Sequence, residues 1–362
     1  MEKTVKDNGK KTVMLHYTQF GKQRSPNMQF DILRNNEYLQ QNFDFVTLNQ
    51  DPLPSEIGHI KSIQMLKAEI KKVKPDIIHI VGVKEGFHCV IAALLAGCKK
   101  RILITRGFAG YTSVISAKQR FFYRWIIEPI TLLLSTKVQC NSQFSKSLQM
   151  IRLFAKNKST VIYNFLKPFE LSADRAWRKS RNIREEDFLV ATIGNMHSGK
   201  GYDLLEKVIE HYKGDDNIKF VVMGDGRLKA DFDKRNCTSA ENPQVYSLGN
   251  VPHSEAMKIL SEADVFYLPT RFETLGMVFA EAGFCGIPSI GTDVGAVGEF
   301  VQDGKTGFLL QPEDFETAIE KIDLLRKNRD LCAHMGEEAK EHVHKMLSMQ
   351  EVAERIEDLY NA

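Results

Sequence analysis

Six cysteines in 362 residues, at positions 89, 98, 140, 237, 285 and 332, include no Cys-x-x-Cys pair and no cluster with histidine at metal-ligand spacing. That argues against a zinc module and a disulfide framework, and the six read as reduced, mostly buried thiols. Net charge is equally scarce, with 49 Lys and Arg against 46 Asp and Glu, a formal +3. A protein held to nucleic acid by counterion release concentrates far more positive charge, so no nucleic-acid partner is expected. Long apolar runs are missing too. The best window, 125–134, is ten residues long and contains Glu128 and Pro129, well short of the ~18 apolar residues of a spanning helix. Residues 1–11 are polar and Lys-rich with no apolar stretch behind them, so no signal peptide is expected and the cytoplasm is the expected compartment.

What is present is an ordinary globular composition, 43% hydrophobic and 26% charged, over a length that suggests two domains. Short runs rich in Val and Ile alternate with stretches of helical period, as in a parallel sheet covered on both faces. Strands are expected at 12–17, 45–48, 76–81, 101–105, 137–140 and 160–163, with helices at 27–41, 60–73, 87–96, 117–134 and 143–154. A polar stretch crowded with Arg and Lys, 167–187, reads as a linker. A second series of strands then follows at 188–193, 218–223, 244–248, 264–268, 288–290 and 307–310, and from 312 to 360 the pattern is helical only. The expected architecture is α/β: two tandem doubly wound, Rossmann-like domains (1–166 and 188–340) facing a central cleft, with a C-terminal helix at 341–362. Such folds bind ligands at their switch points, which suggests two substrates, one held mostly by each domain.

The most informative stretch runs from Tyr267 to Gly307. A buried strand ends at Pro269, a loop follows, and a helix begins near Leu275 and Gly276, so backbone amides and a helix N-terminus lie at the carboxyl edge of the sheet, an arrangement suited to phosphate. Glu273 in the loop and Glu281 in the helix are eight positions apart and can address one ligand from different heights. Carboxylates touching a phosphate would repel it, so hydroxyl-rich groups are their sensible partners. Taken alone, the pair reads first as a helix-start carboxylate and a solvated helix residue.

The run Pro269-Thr270, Glu273, Leu275-Gly276-Met277, Glu281-Ala282, Gly286-Ile287-Pro288, Gly295, Glu299 and Asp303-Gly304-Lys305-Thr306-Gly307 resembles the signature of retaining glycosyltransferase family 4, enzymes of GT-B fold that use nucleotide sugars. The resemblance extends to Gly194-Asn195-Met196-His197-Ser198-Gly199-Lys200-Gly201, where the family carries Gly-Arg and then Lys-Gly. It implies that Lys200, helped by the loop at Thr274, Leu275, Gly276 and Met277, stabilises the leaving diphosphate. It also implies that Glu273 orients the donor sugar and Glu281 the ribose. Gly194, Asn195, Gly224, and the stretch containing Leu248 and Val251, fall where the family binds the nucleotide, and the helical tail resembles the segment that crosses back onto the first domain, the one implied to bind the acceptor. Asn195 replaces the family's Arg, removing a positive charge.

The first half departs further. Gly21 stands alone where the family often has a Gly pair in the loop facing donor and acceptor. Arg106 stands where the family commonly has His; it cannot act as a base and either contacts phosphate or acceptor or pairs with a carboxylate. His79 and His88 read as structural. The segment 118–125 interleaves bases with aromatics, and the favoured reading is a core helix whose Phe, Trp and Ile stripe packs on the sheet; the alternative is an interfacial helix at anionic headgroups.

The resemblance therefore implies transfer of a sugar, with retention and without a cofactor or metal, from a nucleoside diphosphate sugar, UDP- or GDP-linked first among candidates. The acceptor is a glycan or lipid-linked hydroxyl in polysaccharide assembly, with peripheral contact at the cytoplasmic membrane face. Two rivals remain from the sequence. Gly194-x-x-x-x-Gly199-Lys200 nearly spells a P-loop but ends in Gly201 where Ser or Thr should bind magnesium. A sugar-nucleotide epimerase or a silent GT-B binding protein would account for the missing Arg and His.

Overall fold

A computed structural model describes residues 9–18, 25–105, 107, 116–166, 169–171, 174–237 and 243–362. The chain divides into two units, Met1–Phe165 with Leu347–Ala362, and Leu166–Met346. All twelve expected strands form. In the first unit β1 (Lys11–Thr18), β2 (Phe43–Gln50), β3 (Ile77–Val81), β4 (Lys100–Thr105), β5 (Lys137–Cys140) and β6 (Ser159–Val161) make one parallel sheet in the order β2-β1-β3-β4-β5-β6. In the second, β7 (Phe188–Ile193), β8 (Ile218–Met223), β9 (Val245–Gly249), β10 (Val265–Leu268), β11 (Ser289–Thr292) and β12 (Gly307–Leu310) make another, in the order β12-β11-β10-β7-β8-β9.

The strand runs are continuously apolar because helices cover both faces of each sheet. In the first unit Met14, Ile78, Ile80 and Leu103 point to one face and cluster with Val90, Leu132 and Ile151. The alternate residues Val13, Leu15, Ile77, Ile102 and Ile104 point to the other, where Val352, Ile356 and Tyr360 meet them. Those last three belong to the helix Met349–Asn361, so a segment distant in sequence completes this core. Tyr360 is fully buried, packs edge-on against Phe43, and its hydroxyl lies 2.9 Å from His79 Nδ1. His88 is likewise engaged, with Nε2 2.8 Å from His59 Nδ1.

Two helices depart from the expected spans. The segment 27–41 divides into Ser25–Arg34 and Glu37–Gln40, because Asn36 caps the second piece by accepting from Leu39 N at 3.1 Å. The segment 143–154 breaks at Leu148, whose ψ of 143° is extended. The segment 117–134 runs on through a π turn at Tyr123–Ile127, and its aromatic stripe corrects the core-helix reading. Phe121 is 66% exposed, and Phe122, Trp125 and Ile126 are also exposed. The inward face is built from Ile127, Glu128, Thr131 and Leu132.

The polar stretch 167–187 carries a short helix, Ala176–Ser180, anchored in the second unit. Arg178, 2% exposed, donates from Nε to the Glu262 carbonyl at 2.7 Å and pairs with Asp264 at 2.6 Å. Its own amide donates to Glu262 Oε2 at 2.8 Å. A buried charge costs little when each of its donors is matched in this way. Among the described residues no helix is long and apolar enough to cross a membrane.

Candidate functional site

In the second sheet the strand order reverses between β7 and β10, the switch point at which ligands bind such sheets. β7 leads into the loop 194–201 and β10 into 269–276, and the two loops are bonded to one another. Arg271 N donates to Gly199 O at 2.9 Å, and the buried Thr270 hydroxyl donates toward Gly199 O at 3.2 Å. Gly201 has a φ of +70°, and a Cβ there would fall 1.9 Å from Pro269 O. Only glycine fits that contact. The same contact explains why glycine stands at 201, where a P-loop carries Ser or Thr.

Lys200 closes the single helical turn Ser198–Lys200 and points across the switch point at Glu273. Its Nζ donates to Glu273 Oε2, with the two side chains 18% and 15% exposed. The other Glu273 oxygen accepts from Thr274 N at 3.1 Å. Glu273 is thus held on both oxygens, and its backbone carbonyl accepts from Ala296 N at 3.2 Å. Leu275 is buried and Gly276, at a φ of +80°, turns the chain into the helix Met277–Phe284, whose N-terminal end therefore lies beside the Lys200–Glu273 pair.

The loops after β8 and β9 join the same edge. Gly194 N donates to Met223 O at 3.0 Å, Met196 N to Asp225 O at 2.9 Å, and Gly224 N to Gly249 O at 2.7 Å. Asn195 is exposed on this edge, and Leu248 lies in β9 with Val251 just beyond it. Glu281 Oε1 accepts from His253 Nε2 at 2.9 Å, and His253 opens the helix that follows β9. Gly194, Asn195, Lys200, Gly224, Leu248, Val251, Glu273, Thr274, Leu275, Gly276, Met277 and Glu281 therefore share one edge of one sheet. Arg106 and Gly21 lie outside the described residues.

Two contributors escape the sequence reading. Arg271 pairs with both Asp203 oxygens at 2.8 Å, with Glu313 at 2.5 and 2.7 Å, and with Ser198 O at 2.8 Å. These hydrogen bonds raise its pKa and hold the carboxyl groups of Asp203 and Glu313 below the usual range. Arg271 thereby locks the β10 loop to the β7 loop one residue away from Lys200's own loop contacts. His253 is the other: no spacing ties it to Glu281, although it stands at a helix start after Pro252. His197 accepts from Gly199 N through Nδ1 at 3.1 Å, and burial, then the nearby Lys200 and Arg227, lower its pKa. Its ring is accordingly a neutral acceptor that shapes the Lys200 turn. Among the described residues no group of His, Cys, Asp and Glu could hold a metal ion.

Two parallel six-stranded sheets in tandem, the second with a switch-point edge lined by a lysine and two carboxylates, define a two-domain Rossmann-like fold of the GT-B type. The chain belongs to family 4 of the glycosyltransferases: residues 173–342 match the model "Glycosyl transferases group 1" and residues 8–137 match "Glycosyl transferase 4-like". Similar proteins include the capsular polysaccharide biosynthesis glycosyltransferase CapM of Staphylococcus aureus, 24% identical over 93% of this chain and 91% of that one. Another is the Escherichia coli UDP-Gal:alpha-D-GlcNAc-diphosphoundecaprenol alpha-1,3-galactosyltransferase, 25% identical over 84% and 80%. Among solved structures, Anabaena HepE in complex with UDP and glucose superposes with a TM-score of 0.76 at 15% identity, covering 97% of this chain and 100% of that one. The sucrose-phosphate synthase of Thermosynechococcus elongatus superposes with a TM-score of 0.80 at 17% identity, covering 97% and 98%.

Proposed function

We propose that this glycosyltransferase takes a sugar from a nucleoside diphosphate sugar, UDP- or GDP-linked, and transfers it with retention and without a bound metal. The acceptor is a glycan or lipid-linked hydroxyl in polysaccharide assembly at the cytoplasmic membrane face. The Lys200–Glu273 pair at the switch point of the second sheet carries this reading. An ammonium opposed by a carboxylate, beside a helix N-terminus, suits a ligand that presents a diphosphate and a polyhydroxylated ring together. The names of the similar proteins, one capsular and one acting on a diphosphoundecaprenol-linked sugar, support the acceptor class.

In the transfer, the bond between the anomeric carbon and the diphosphate oxygen breaks and a bond from the acceptor oxygen forms. The acceptor proton leaves with the departing diphosphate. Lys200 Nζ and the amides at 274–277 stabilise the negative charge that grows on that leaving group, an effect larger at the transition state than in the ground state. Glu273, whose second oxygen is fixed by Thr274 N, holds sugar hydroxyls, and Glu281, oriented by His253, holds the ribose.

Thermal-shift and calorimetric titration with UDP, GDP, ADP, their sugar conjugates, ATP and GTP, with and without magnesium, test the reading on wild type and Lys200→Ala. The expected result is stabilisation by one nucleoside diphosphate, independent of magnesium and lost in the variant. Stabilisation by none of them, or only by a triphosphate with magnesium, rejects it.

A further inference from the structure

A nucleoside diphosphate brings two phosphates to the switch-point edge, and most of the charged side chains there are already committed to one another. Lys200 donates to Glu273, Arg271 is held by Asp203 and Glu313, and Lys229 donates to Asp233. With Glu281 added, carboxylates outnumber cations in this set, a balance that opposes the approach of an anion. The start of the helix Met277–Phe284 offsets only part of it. Position 195, where the resemblance places an arginine, holds an uncharged asparagine.

Arg227 differs from these cations. It follows the turn Gly224-Asp225-Gly226 after β8, and that turn is tied to the loop 194–201, with Met196 N donating to Asp225 O at 2.9 Å and Leu228 N to Met196 O at 3.2 Å. A Cβ on Gly226 would fall 2.7 Å from Asn195 Oδ1, so the side chain at 227 issues from beside position 195. Its guanidinium reaches the Lys200 turn, where Nη2 donates to Ser198 Oγ at 3.2 Å. Among the described residues that neutral hydroxyl is the guanidinium's one hydrogen-bond partner, and both side chains are exposed. The adjacent Asp225 turns its Oδ1 to Gly226 N at 2.7 Å instead. The charge of Arg227 is felt at the turn: after burial and Lys200, it is the next cause that lowers the pKa of His197.

We propose that Arg227 is the second cation of the donor site: its guanidinium exchanges the Ser198 hydroxyl for the diphosphate of the nucleotide sugar and, with Lys200, supplies the positive charge absent at 195. This rests on the nucleoside diphosphate sugar reading and adds a residue to it. The planar fork of an arginine presents paired donors to phosphate oxygens, and a single contact to an exposed hydroxyl is given up at little cost. As the bond to the anomeric carbon breaks and charge grows on the departing diphosphate, Arg227 holds that charge from the β8 turn while Lys200 holds it from the β7 loop.

Calorimetric titration of the full chain with UDP and with GDP, without divalent cations and at low and high salt, tests the proposal on wild type, Arg227→Gln, Arg227→Lys, Ser198→Ala and Asn195→Arg/Arg227→Gln. The diphosphate that binds the wild type should bind Arg227→Gln about 10-fold or more weakly, and Arg227→Lys with intermediate affinity. High salt narrows the gap. The double variant, which returns the cation from the neighbouring position, regains most of the loss. Ser198→Ala, which removes only the contact to the turn, stays within about twofold of wild type. All four variants change exposed residues and should keep the wild-type thermal midpoint without ligand. A wild type that binds neither diphosphate removes the donor reading and this proposal with it. If the wild type binds and Arg227→Gln binds equally well, Arg227 alone loses its role. Weakening by Ser198→Ala as large as that by Arg227→Gln also overturns the proposal, because Arg227 would then only brace the Lys200 turn.

Discussion

Gly295 and Glu273 meet backbone to backbone: a methyl group added to Gly295 would fall 1.7 Å from the Glu273 carbonyl oxygen, at a residue whose φ is +59°. The loop after β11 therefore fixes the position of the β10 loop from behind. Gly295→Ala should move Glu273 without touching any ligand, and a misplacement near 1 Å costs about 100-fold in turnover. Steady-state assays with the matched donor, alongside a thermal melt showing a folded protein, check this.

Lys200 and Glu273 should separate binding from turnover. Lys200→Ala loses the cation that faces the diphosphate, so nucleoside diphosphate affinity and turnover both fall, turnover by roughly 100- to 1,000-fold. Glu273→Gln keeps the shape but removes the charge, and is expected to lower kcat by a comparable factor while the nucleoside diphosphate Kd stays within about threefold. Calorimetry and initial rates on the same preparations distinguish the two. A Glu273→Gln enzyme with normal kcat would sink its assignment.

Arg271→Lys tests the clamp. Arginine forms paired bonds to Asp203 and Glu313 that an ammonium cannot reproduce. Turnover should fall by about 10-fold or more with little change in overall stability, because the lost contacts are partly exposed and contribute little to folding. Initial rates combined with urea midpoints provide the check; a normal rate removes Arg271 from any positioning role.

A pH dependence belongs to the first unit. Burial lowers the pKa of His16 to about 4 against a hydrogen bond from its ring to Gln50 Oε1 that raises it, and burial with the neighbouring His59 lowers His88 to about 4. Both rings are neutral in the fold, and the unfolded chain takes up protons first. Their contribution to stability is complete above pH 6.5 and is lost as pH falls from there toward 4. Urea midpoints at pH 7 and pH 5 should show the drop, and His16→Gln should flatten it.

Tyr360→Ala removes a large side chain from a closed core and should cost the first unit about 3–5 kcal/mol. Tyr360→Phe keeps the ring and leaves His79 Nδ1 without that partner, at about 1 kcal/mol. Nucleoside diphosphate titration of the second unit's site should be unchanged in the phenylalanine variant. Denaturant curves and titration on the full chain measure both.

Much of this was legible in the sequence because buried parallel strands are written as unbroken apolar runs. Ile77 to Val81 and Phe188 to Ile193 cannot be mistaken for amphipathic surface, and the residues from Pro269 to Gly276 fix a loop and helix start by composition alone. Features decided by long-range contacts were not legible. Nothing local says that Arg271 reaches Asp203 and Glu313, sixty-eight and forty-two positions away, or that His253 finds Glu281. The aromatic stripe at 121–126 misled for a related reason: periodicity reports that a helix has an apolar side, and only packing shows which side the protein covers. The helix breaks at Asn36 and Leu148 arise from a cap and one extended residue inside otherwise periodic text.

The helix Met349–Asn361 sets the order in which the chain can finish folding. During synthesis the whole of the second unit, a contiguous stretch, leaves the ribosome before this helix does. The second sheet can close around its own core at that stage, whereas the first, though made earlier, still shows a bare apolar face where Ile356 and Tyr360 belong. The half translated first is thus the half completed last.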